Sequence, residues 1–153
     1  MPGDFYWGDA STRIRTILGS CISICLWHPV KKEGGMCHYM LPSRNAKLNN
    51  ADSKLNGKYG DEAWELFLRE INKNKTKPSE YLVKLFGGSN MFTANERSLR
   101  DVGMGDKNIE FARKIVSEYK LNLVSENLGG NRPRRIHFDM WSGNVWLRRQ
   151  END

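Results

Sequence analysis

Residues 16–27 read Thr-Ile-Leu-Gly-Ser-Cys-Ile-Ser-Ile-Cys-Leu-Trp, and this stretch decides the predicted fold. Apolar and β-branched residues fill both halves, and Gly19-Ser20 separates them. The pattern predicts two strands, Ile14–Leu18 and Ile22–Trp27, with a sharp break between them. Because side chains alternate across a strand, Cys21 and Cys25 share one face, and Ile22, Ile24 and Leu26 take the other.

The segment that follows is predicted to return beside the second strand. Met36–Leu41 is rich in apolar residues and stops at Pro42, which predicts a third strand. His38 shares a face of that strand with the two flanking methionines, whereas Cys37 points the other way. A polar stretch, Ser43–Tyr59, is predicted to be a surface loop.

Two helices are predicted from apolar residues at helical spacing. Asp61 is the expected N-cap of the first, which runs to about Asn72. The second runs from about Lys107 to Tyr119. Their predicted buried stripes are Trp64, Phe67, Leu68 and Ile71 in the first, and Ile109, Ala112, Val116 and Tyr119 in the second.

The remaining strands complete a layered domain. Tyr81–Phe86 and Leu121–Ser125 are predicted strands, and Ile136–Met140 pairs with Val145–Arg148 in a hairpin that turns at Ser142-Gly143-Asn144. Several antiparallel strands with two helices between them predict the α+β class, with residues 1–153 forming a single domain.

The composition predicts neither a membrane-spanning nor a secreted protein. The chain has 153 residues, 39% of them hydrophobic, and its apolar runs are too short for a membrane span or a secretory signal. Three cysteines cannot complete a disulfide framework, which favours free thiols and a cytoplasmic protein without membrane insertion.

The net charge of +6 indicates an acidic partner but does not identify it. Nucleic-acid binding through Trp141, Trp146 and the arginine clusters is one alternative, but the basic residues are scattered and no zinc-finger or RNP-type signature accompanies them. Nucleic acid is therefore not the expected partner.

Cys21 and His38 are the candidate reactive residues. A catalytic thiol needs partial exposure and a neighbouring base, and Cys21 follows the Gly19-Ser20 break, where backbone N–H groups can hold an oxyanion. The alternatives are a structural Cys21 and a His38 packed between methionines. A zinc site made of the three cysteines and His38 is a third alternative, although Cys37 and His38 point to opposite faces.

Four segments together resemble the CheD family, the chemoreceptor glutamine deamidases of bacterial and archaeal chemotaxis. These are Thr-Ile-Leu-Gly-Ser-Cys at 16–21, Gly-Met-Cys-His-Tyr-Met-Leu-Pro at 35–42, Phe-Gly-Gly-Ser-Asn-Met-Phe at 86–92, and Glu-Asn-Leu-Gly-Gly-Asn-Arg-Pro-Arg at 126–134. Their order spans nearly the whole chain.

The resemblance implies an α/β/β layered sandwich similar to the catalytic domain of the cytotoxic necrotising factor toxins. It also implies a thiol hydrolase in which Cys21 is the nucleophile, His38 the general base and Thr16 the third member; an offset of one residue would move that last role to Arg15. No metal or cofactor is implied.

The implied substrates are the cytoplasmic domains of methyl-accepting chemoreceptors, with methylesterase activity on glutamyl esters and association with a CheC-type phosphatase. The alternative functions are another cysteine hydrolase, such as an amidase or peptidase, and a non-catalytic adaptor that binds CheC.

Overall fold

The chain folds into two β-sheets and two long helices. The computed structural model describes residues 1–44, 54–90 and 103–149. In chain order the elements are β1 (Phe5–Gly8), β2 (Arg13–Leu18), β3 (Ile22–His28), β4 (Glu33–Cys37), α1 (Gly60–Lys73), a 3₁₀ turn (Pro78–Glu80), β5 (Leu82–Gly87), α2 (Met104–Glu118), β6 (Asn122–Leu128), β7 (Arg134–Asp139) and β8 (Val145–Arg149).

The strands form one sheet of five and one of three. The larger sheet has the order β1-β4-β3-β5-β6, and the smaller has the order β2-β7-β8. All pairs are antiparallel except β5 and β6, which run parallel because α2 connects them. The predicted break at Gly19-Ser20 is the point where the chain leaves the smaller sheet and enters the larger one.

The five-stranded sheet is the middle of three layers. Its first face packs on both helices, with Ile22, Ile24 and Leu26 of β3 against Phe67 of α1 and Ala112 of α2. Its other face packs on the three-stranded sheet. The residues of that second core are Leu18, Cys21, Cys25, Met36, Phe86, Ile136, Phe138 and Met140. The predicted α+β class and α/β/β layering are confirmed.

The side chains of β3 alternate between its two faces, as predicted, and the structure shows that each face contributes to a different core. The side chains of Cys21 and Cys25 face the smaller sheet, and Cys37 faces the helices. Burying apolar side chains on both faces contributes about 25 cal/mol for each Å² removed from water, which explains why β3 is the most apolar strand.

Several predicted boundaries were wrong. β4 ends at Cys37 and not at Leu41, because the following residues leave the ladder after one further bridge, between Tyr39 and Ile22. The N-cap of α1 is Tyr59 and not Asp61; Asp61 lies in the first turn, where a carboxylate favours the positive end of the helix dipole. α2 starts earlier, at Met104.

Strand β1 was not predicted, because four residues are too few for a periodicity to show. The predicted loop Ser43–Tyr59 lies in part, at residues 45–53, outside the described residues. No helix in the described ranges has an apolar stretch of the length needed to cross a membrane.

Candidate active site

The backbone register places Cys21 and His38 on the same face of the larger sheet. Ile22 and Tyr39 exchange both backbone hydrogen bonds, with N–O distances of 3.1 and 3.0 Å. Ser23 therefore lies opposite His38, and Cys21 is the diagonal neighbour of His38. Cα atoms of diagonal neighbours lie about 7–8 Å apart, within reach of an imidazole ring.

His38 lies just beyond the end of β4, yet both of its backbone polar groups are hydrogen-bonded to the N-terminal segment. Its N–H donates to the carbonyl of Asp4 at 3.1 Å, and its own carbonyl accepts from the N–H of Gly3 at 2.8 Å. The ring is almost fully buried. A side chain this confined has few accessible rotamers, so its ring is fixed in place before any ligand arrives.

The ring of His38 is hydrogen-bonded to a residue of the other sheet. Oγ1 of Thr16, on β2, lies 2.9 Å from Nδ1 of His38, and both side chains are buried. The family resemblance gives Thr16 as the third member of the proposed site, or Arg15 under an offset of one residue. Thr16 is the residue that faces the ring, whereas Arg15 is exposed on the outer side of β2.

The thiol of Cys21 and the ring of His38 form no hydrogen bond to each other within the described residues. The sulfur lies in the turn between β2 and β3, with 9% of the residue exposed. In enzymes without substrate such pairs are often longer than hydrogen-bond distance and tighten only when substrate binds.

Burial favours the neutral form of both groups. It raises the pKa of the Cys21 thiol, with a smaller opposing effect from the positive Met1 amino group. It also lowers the pKa of His38 from 6.5 to about 4, and the same amino group adds to that shift. At neutral pH the site therefore holds a thiol beside an unprotonated imidazole, whose second ring nitrogen can accept a proton.

The turn that carries Cys21 is packed against a glycine of β5. The Cys21 carbonyl accepts from the N–H of Gly88 at 2.9 Å. Gly87 has a φ of +110°, and a Cβ there would lie only 2.1 Å from the same carbonyl oxygen. Only glycine allows this conformation and this approach, so the backbone of Cys21 is fixed by β5.

Asn108, on α2, joins the segment that carries Cys21 to the segment that carries His38 from the helical side. Its Nδ2 donates to the carbonyls of Ser20 at 3.0 Å and of Met40 at 2.8 Å. The Tyr39 hydroxyl in turn donates to the Asn108 backbone carbonyl. Asn108 is fully buried, so these bonds form in a medium of low polarity, where an unpaired group is costly.

Arg134 fixes the other side of the turn. It is buried, and its guanidinium donates to the Gly87 carbonyl, the Ser89 hydroxyl, the Gly129 carbonyl and the Asn127 side chain. Burial lowers the pKa of Arg134 from its ordinary value. The Ser89 N–H donates to Gly19 at 2.9 Å, which connects this network to the residue two positions before Cys21.

Sequence reasoning assigned no role to Asn108 or Arg134. Asn108 occupies the buried stripe of α2 together with Gly105, Ala112 and Ile115. A polar residue within an apolar stripe was the available signal. The predicted stripe shares Ala112 with the observed one, but it has Ile109 and Val116 where Asn108 and Ile115 are buried, and it wrongly includes Tyr119, which is exposed.

Neither Cys25 nor Cys37 is placed to react at this site: one is buried in a core, and the side chain of the other points to the opposite face. Cys25 is the other diagonal neighbour of His38, but it is 1% exposed and packed within the second core. Cys37 faces the helices, so it cannot join Cys21 and His38 in a zinc site as the third alternative required. Within the described ranges, no three His, Cys, Asp or Glu side chains are grouped as a metal ion would need.

A cavity of about 480 Å³ opens beside Thr16 and His38. It lies at the edge of the smaller sheet, where β2 has no further neighbour. A volume of this size accommodates an extended side chain such as glutamine together with part of its backbone.

Comparison with known proteins identifies the family to which the chain is similar. The family model of CheD chemotactic sensory transduction matches residues 40–149. A probable chemoreceptor glutamine deamidase CheD 3 from Dechloromonas aromatica is 47% identical over 146 residues, which cover 95% of this chain and 83% of that protein.

Two further relatives also match nearly the whole chain. A probable chemoreceptor glutamine deamidase CheD 1 from Chromobacterium violaceum is 47% identical over 150 residues, 98% of this chain and 76% of its own. The probable CheD 1 of Leptospira interrogans is 44% identical over 158 residues, with 99% and 92% covered. With a family match over more than half of its residues and relatives of this similarity, the chain belongs to the CheD family.

Proposed function

We propose that this protein deamidates glutamine side chains of chemoreceptors, with Cys21 as nucleophile, His38 as general base and Thr16 as the positioning residue. The observation that carries the proposal is the buried hydrogen bond between Thr16 and His38, on the face that His38 shares with Cys21. The relatives' names supply the substrate: each is a probable chemoreceptor glutamine deamidase.

The first step is attack by sulfur on the carboxamide carbon. Since burial keeps both groups neutral, the thiol proton moves to Nε2 of His38 as the carbon–sulfur bond forms. This requires Nδ1 to carry the other proton and to donate it to the Thr16 hydroxyl. Thr16 thereby selects the tautomer, the role that the acid has in a serine triad.

The oxyanion that develops is held by the backbone of the turn. The N–H groups of Ser20 and Cys21 make no backbone hydrogen bond within the described residues, whereas their neighbour Ile22 donates to Tyr39. Free N–H groups next to the nucleophile are the usual oxyanion donors, and each contributes about 2.7–4 kcal/mol to the transition state. The contacts of Gly87, Asn108 and Arg134 keep this turn from rearranging.

The amide nitrogen then leaves as ammonia. The proton on Nε2 of His38 moves to the leaving nitrogen, the carbon–nitrogen bond breaks, and a thioester with Cys21 remains. Water, deprotonated by the same nitrogen, attacks the thioester; the carbon–sulfur bond breaks and the thiol recovers its proton. The sum is glutamine plus water giving glutamate plus ammonia, with no redox change.

The same thioester route hydrolyses a glutamyl methyl ester, with methanol in place of ammonia. We include receptor methylesterase activity in the proposal on this chemical ground. Association with a CheC-type phosphatase is included because the family resemblance implies it.

The proposed location is the cytoplasm, where the receptor segments lie. All three cysteines are free, as a reducing compartment would keep them. The proposal treats residues 1–153 as one catalytic domain.

Mass spectrometry of receptor cytoplasmic fragments tests the proposal. Fragments incubated with the wild-type protein should gain about 1 Da at particular glutamines, and fragments incubated with Cys21→Ala should not. Cys25→Ala is the matched control, because it removes a thiol from the same face without removing the proposed nucleophile.

The possible results of this experiment distinguish the proposed function from the alternative functions. Conversion that survives Cys21→Ala would overturn the mechanism, and cleavage of the fragment backbone would indicate a peptidase. No conversion by the wild type, together with tight binding of a CheC-type protein, would favour the non-catalytic adaptor.

A further inference from the structure

The outer face of the smaller sheet is basic. Side chains that point away from the core on β2, β7 and β8 align in rows across the three strands. The basic face consists of Arg15, Ile17, Arg135, His137, Trp146 and Arg148.

The register defines two of these rows. Ile17 pairs with Arg135, which pairs with Arg148. Two residues further along each strand, Arg15 pairs with His137, which pairs with Trp146. Ile17 is 54% exposed and Trp146 is 58% exposed, so apolar contact surface lies among the charges.

Among the described residues, the carboxylate beside these rows is that of Asp139, and it already has partners. Asp139 accepts from Arg13 and from the indole of Trp146, and Arg13 also lies over the ring of Trp141. Arg15, Arg135 and Arg148 form no ion pair within residues 1–44, 54–90 and 103–149. The basic face thus presents three guanidinium groups without a partner among those residues.

The basic face is continuous with the candidate active site. The cavity beside Thr16 and His38 is also lined by Arg15, Ile17, Arg135 and His137. A polypeptide that lies across the basic face therefore passes the mouth of the cavity that reaches the catalytic imidazole.

We infer that the basic face docks an acidic stretch of the polypeptide that carries the target glutamine, and so positions that glutamine at His38 and Cys21. This inference rests on the proposed function for the glutamine, but the acidity of the partner follows from the face itself.

The spacing of the charges fits a helical partner. Neighbouring strands lie about 4.8 Å apart, and residues four apart on a helix lie about 5–6 Å apart. Two carboxylates on one face of a helix can therefore meet Arg135 and Arg148 at the same time. Guanidinium–carboxylate pairs are strong and geometrically specific, while Trp146 and Ile17 cover the apolar side chains between them.

Paired charge reversals test the inference. In the Cys21→Ala background, which binds without turnover, the double variant Arg135→Glu/Arg148→Glu should lose at least tenfold in affinity for a receptor cytoplasmic fragment. The matched control is Arg69→Glu/Lys73→Glu on exposed positions of α1, in the opposite layer; it changes the net charge equally and should change affinity less than twofold.

A second probe separates this inference from the proposed function. Poly-L-glutamate should bind the control pair as it binds the parent and should bind the Arg135→Glu/Arg148→Glu pair weakly, whether or not the wild type deamidates anything. Equal losses in the two double variants would show that only net charge matters and would overturn the docking face. Duplex DNA that binds more tightly than both acidic probes, through the same arginines, would overturn it as well.

Discussion

The hydroxyl oxygen of Thr16 lies 2.9 Å from Nδ1 of His38, and this contact joins the two sheets of the protein. Thr16 belongs to β2 of the smaller sheet, while His38 follows β4 of the larger one. The orientation of the imidazole thus depends on how the sheets are stacked and not only on the strand that carries it.

Replacing Thr16 tests its positioning role. Thr16→Val keeps the shape and removes the hydroxyl, so the buried ring nitrogen loses its partner at a cost of about 1–3 kcal/mol. We expect kcat to fall about 10–100-fold with little change in KM, and Thr16→Ser to restore most of it. Thr16→Ala should slow turnover far less than Cys21→Ala; equal losses for those two variants would contradict an orienting role.

The dependence of activity on pH should reflect a neutral catalytic pair. With the pKa of His38 lowered to about 4, the imidazole remains an effective base down to that pH, so the acidic limb of kcat/KM should lie near pH 4 and not near 6.5. Activity should not decline between pH 7 and 8.5, because no imidazolium is required. A profile that falls through pH 8 would indicate a preformed thiolate–imidazolium pair and contradict the neutral resting state.

Stability should also depend on pH through His38. The folded protein binds the proton of His38 only near pH 4, whereas the unfolded chain binds it near 6.5. The unfolded state therefore takes up more protons as pH falls from 6.5 to 4, and the free energy of unfolding decreases in that window. The carboxylates of Glu62 and Asp139, whose pKa values are lowered, weaken the fold only at lower pH.

Urea denaturation at pH 7.0 and 5.0 measures this effect. The wild type should unfold at a lower urea concentration at pH 5.0, and His38→Gln should show a smaller difference between the two pH values. An unchanged difference in His38→Gln would assign the effect to other groups.

Alkylation by iodoacetamide should distinguish the three thiols in the folded protein. Cys21 is 9% exposed, whereas Cys25 and Cys37 are 1% and 0% exposed, and the pKa of Cys37 is raised to about 12. Peptide mapping should show Cys21 modified first, slowly at pH 7 and faster above pH 9, since burial raises its pKa as well. Modification of all three thiols at one rate would indicate that Cys21 has no special environment.

Local patterns predicted the parts of this site that lie on one strand. Alternation along residues 21–27 was enough to place Cys21 and Cys25 on one face, and alternation along residues 36–41 was enough to direct Cys37 away from His38. The pairing of His38 with Ser23 could not be predicted, because a shift of one residue in register is invisible in the sequence of either strand.

The contacts between layers could not be predicted from local patterns in the sequence. Asn108 is 88 residues from Ser20 in sequence, and Arg134 is 45 residues from Ser89. Their roles follow from the stacking of α2 and β7 on the larger sheet, which periodicity does not determine. Of Thr16 and Arg15, the two residues considered for the third position, the stacking of the sheets shows that Thr16 is the one in contact with His38.

Asn108 should therefore be essential to the shape of the site although it is remote from the chemistry. Its Nδ2 is the donor for the carbonyls of Ser20 and Met40 within the described residues, and Asn108→Ala would leave both of these partly buried carbonyl groups without that partner. Each unsatisfied buried group costs about 1–3 kcal/mol, so the midpoint of thermal unfolding should fall by several degrees. Because the segments released are those that carry Cys21 and His38, kcat should fall as well, at temperatures where the variant is still folded.

The conservative replacement Asn108→Asp tests whether the amide group of Asn108 is needed as a donor. It has nearly the same shape, but it places carboxylate oxygens against two carbonyl oxygens, so it should be at least as harmful as Asn108→Ala at pH 7. Asn122→Asp, at an exposed position of β6, makes the same chemical change and should alter neither unfolding nor kcat. Wild-type turnover in folded Asn108→Ala would mean that the two segments hold their positions without the asparagine, and that the Ile22–Tyr39 bridge and the Thr16–His38 bond are sufficient to keep the site assembled.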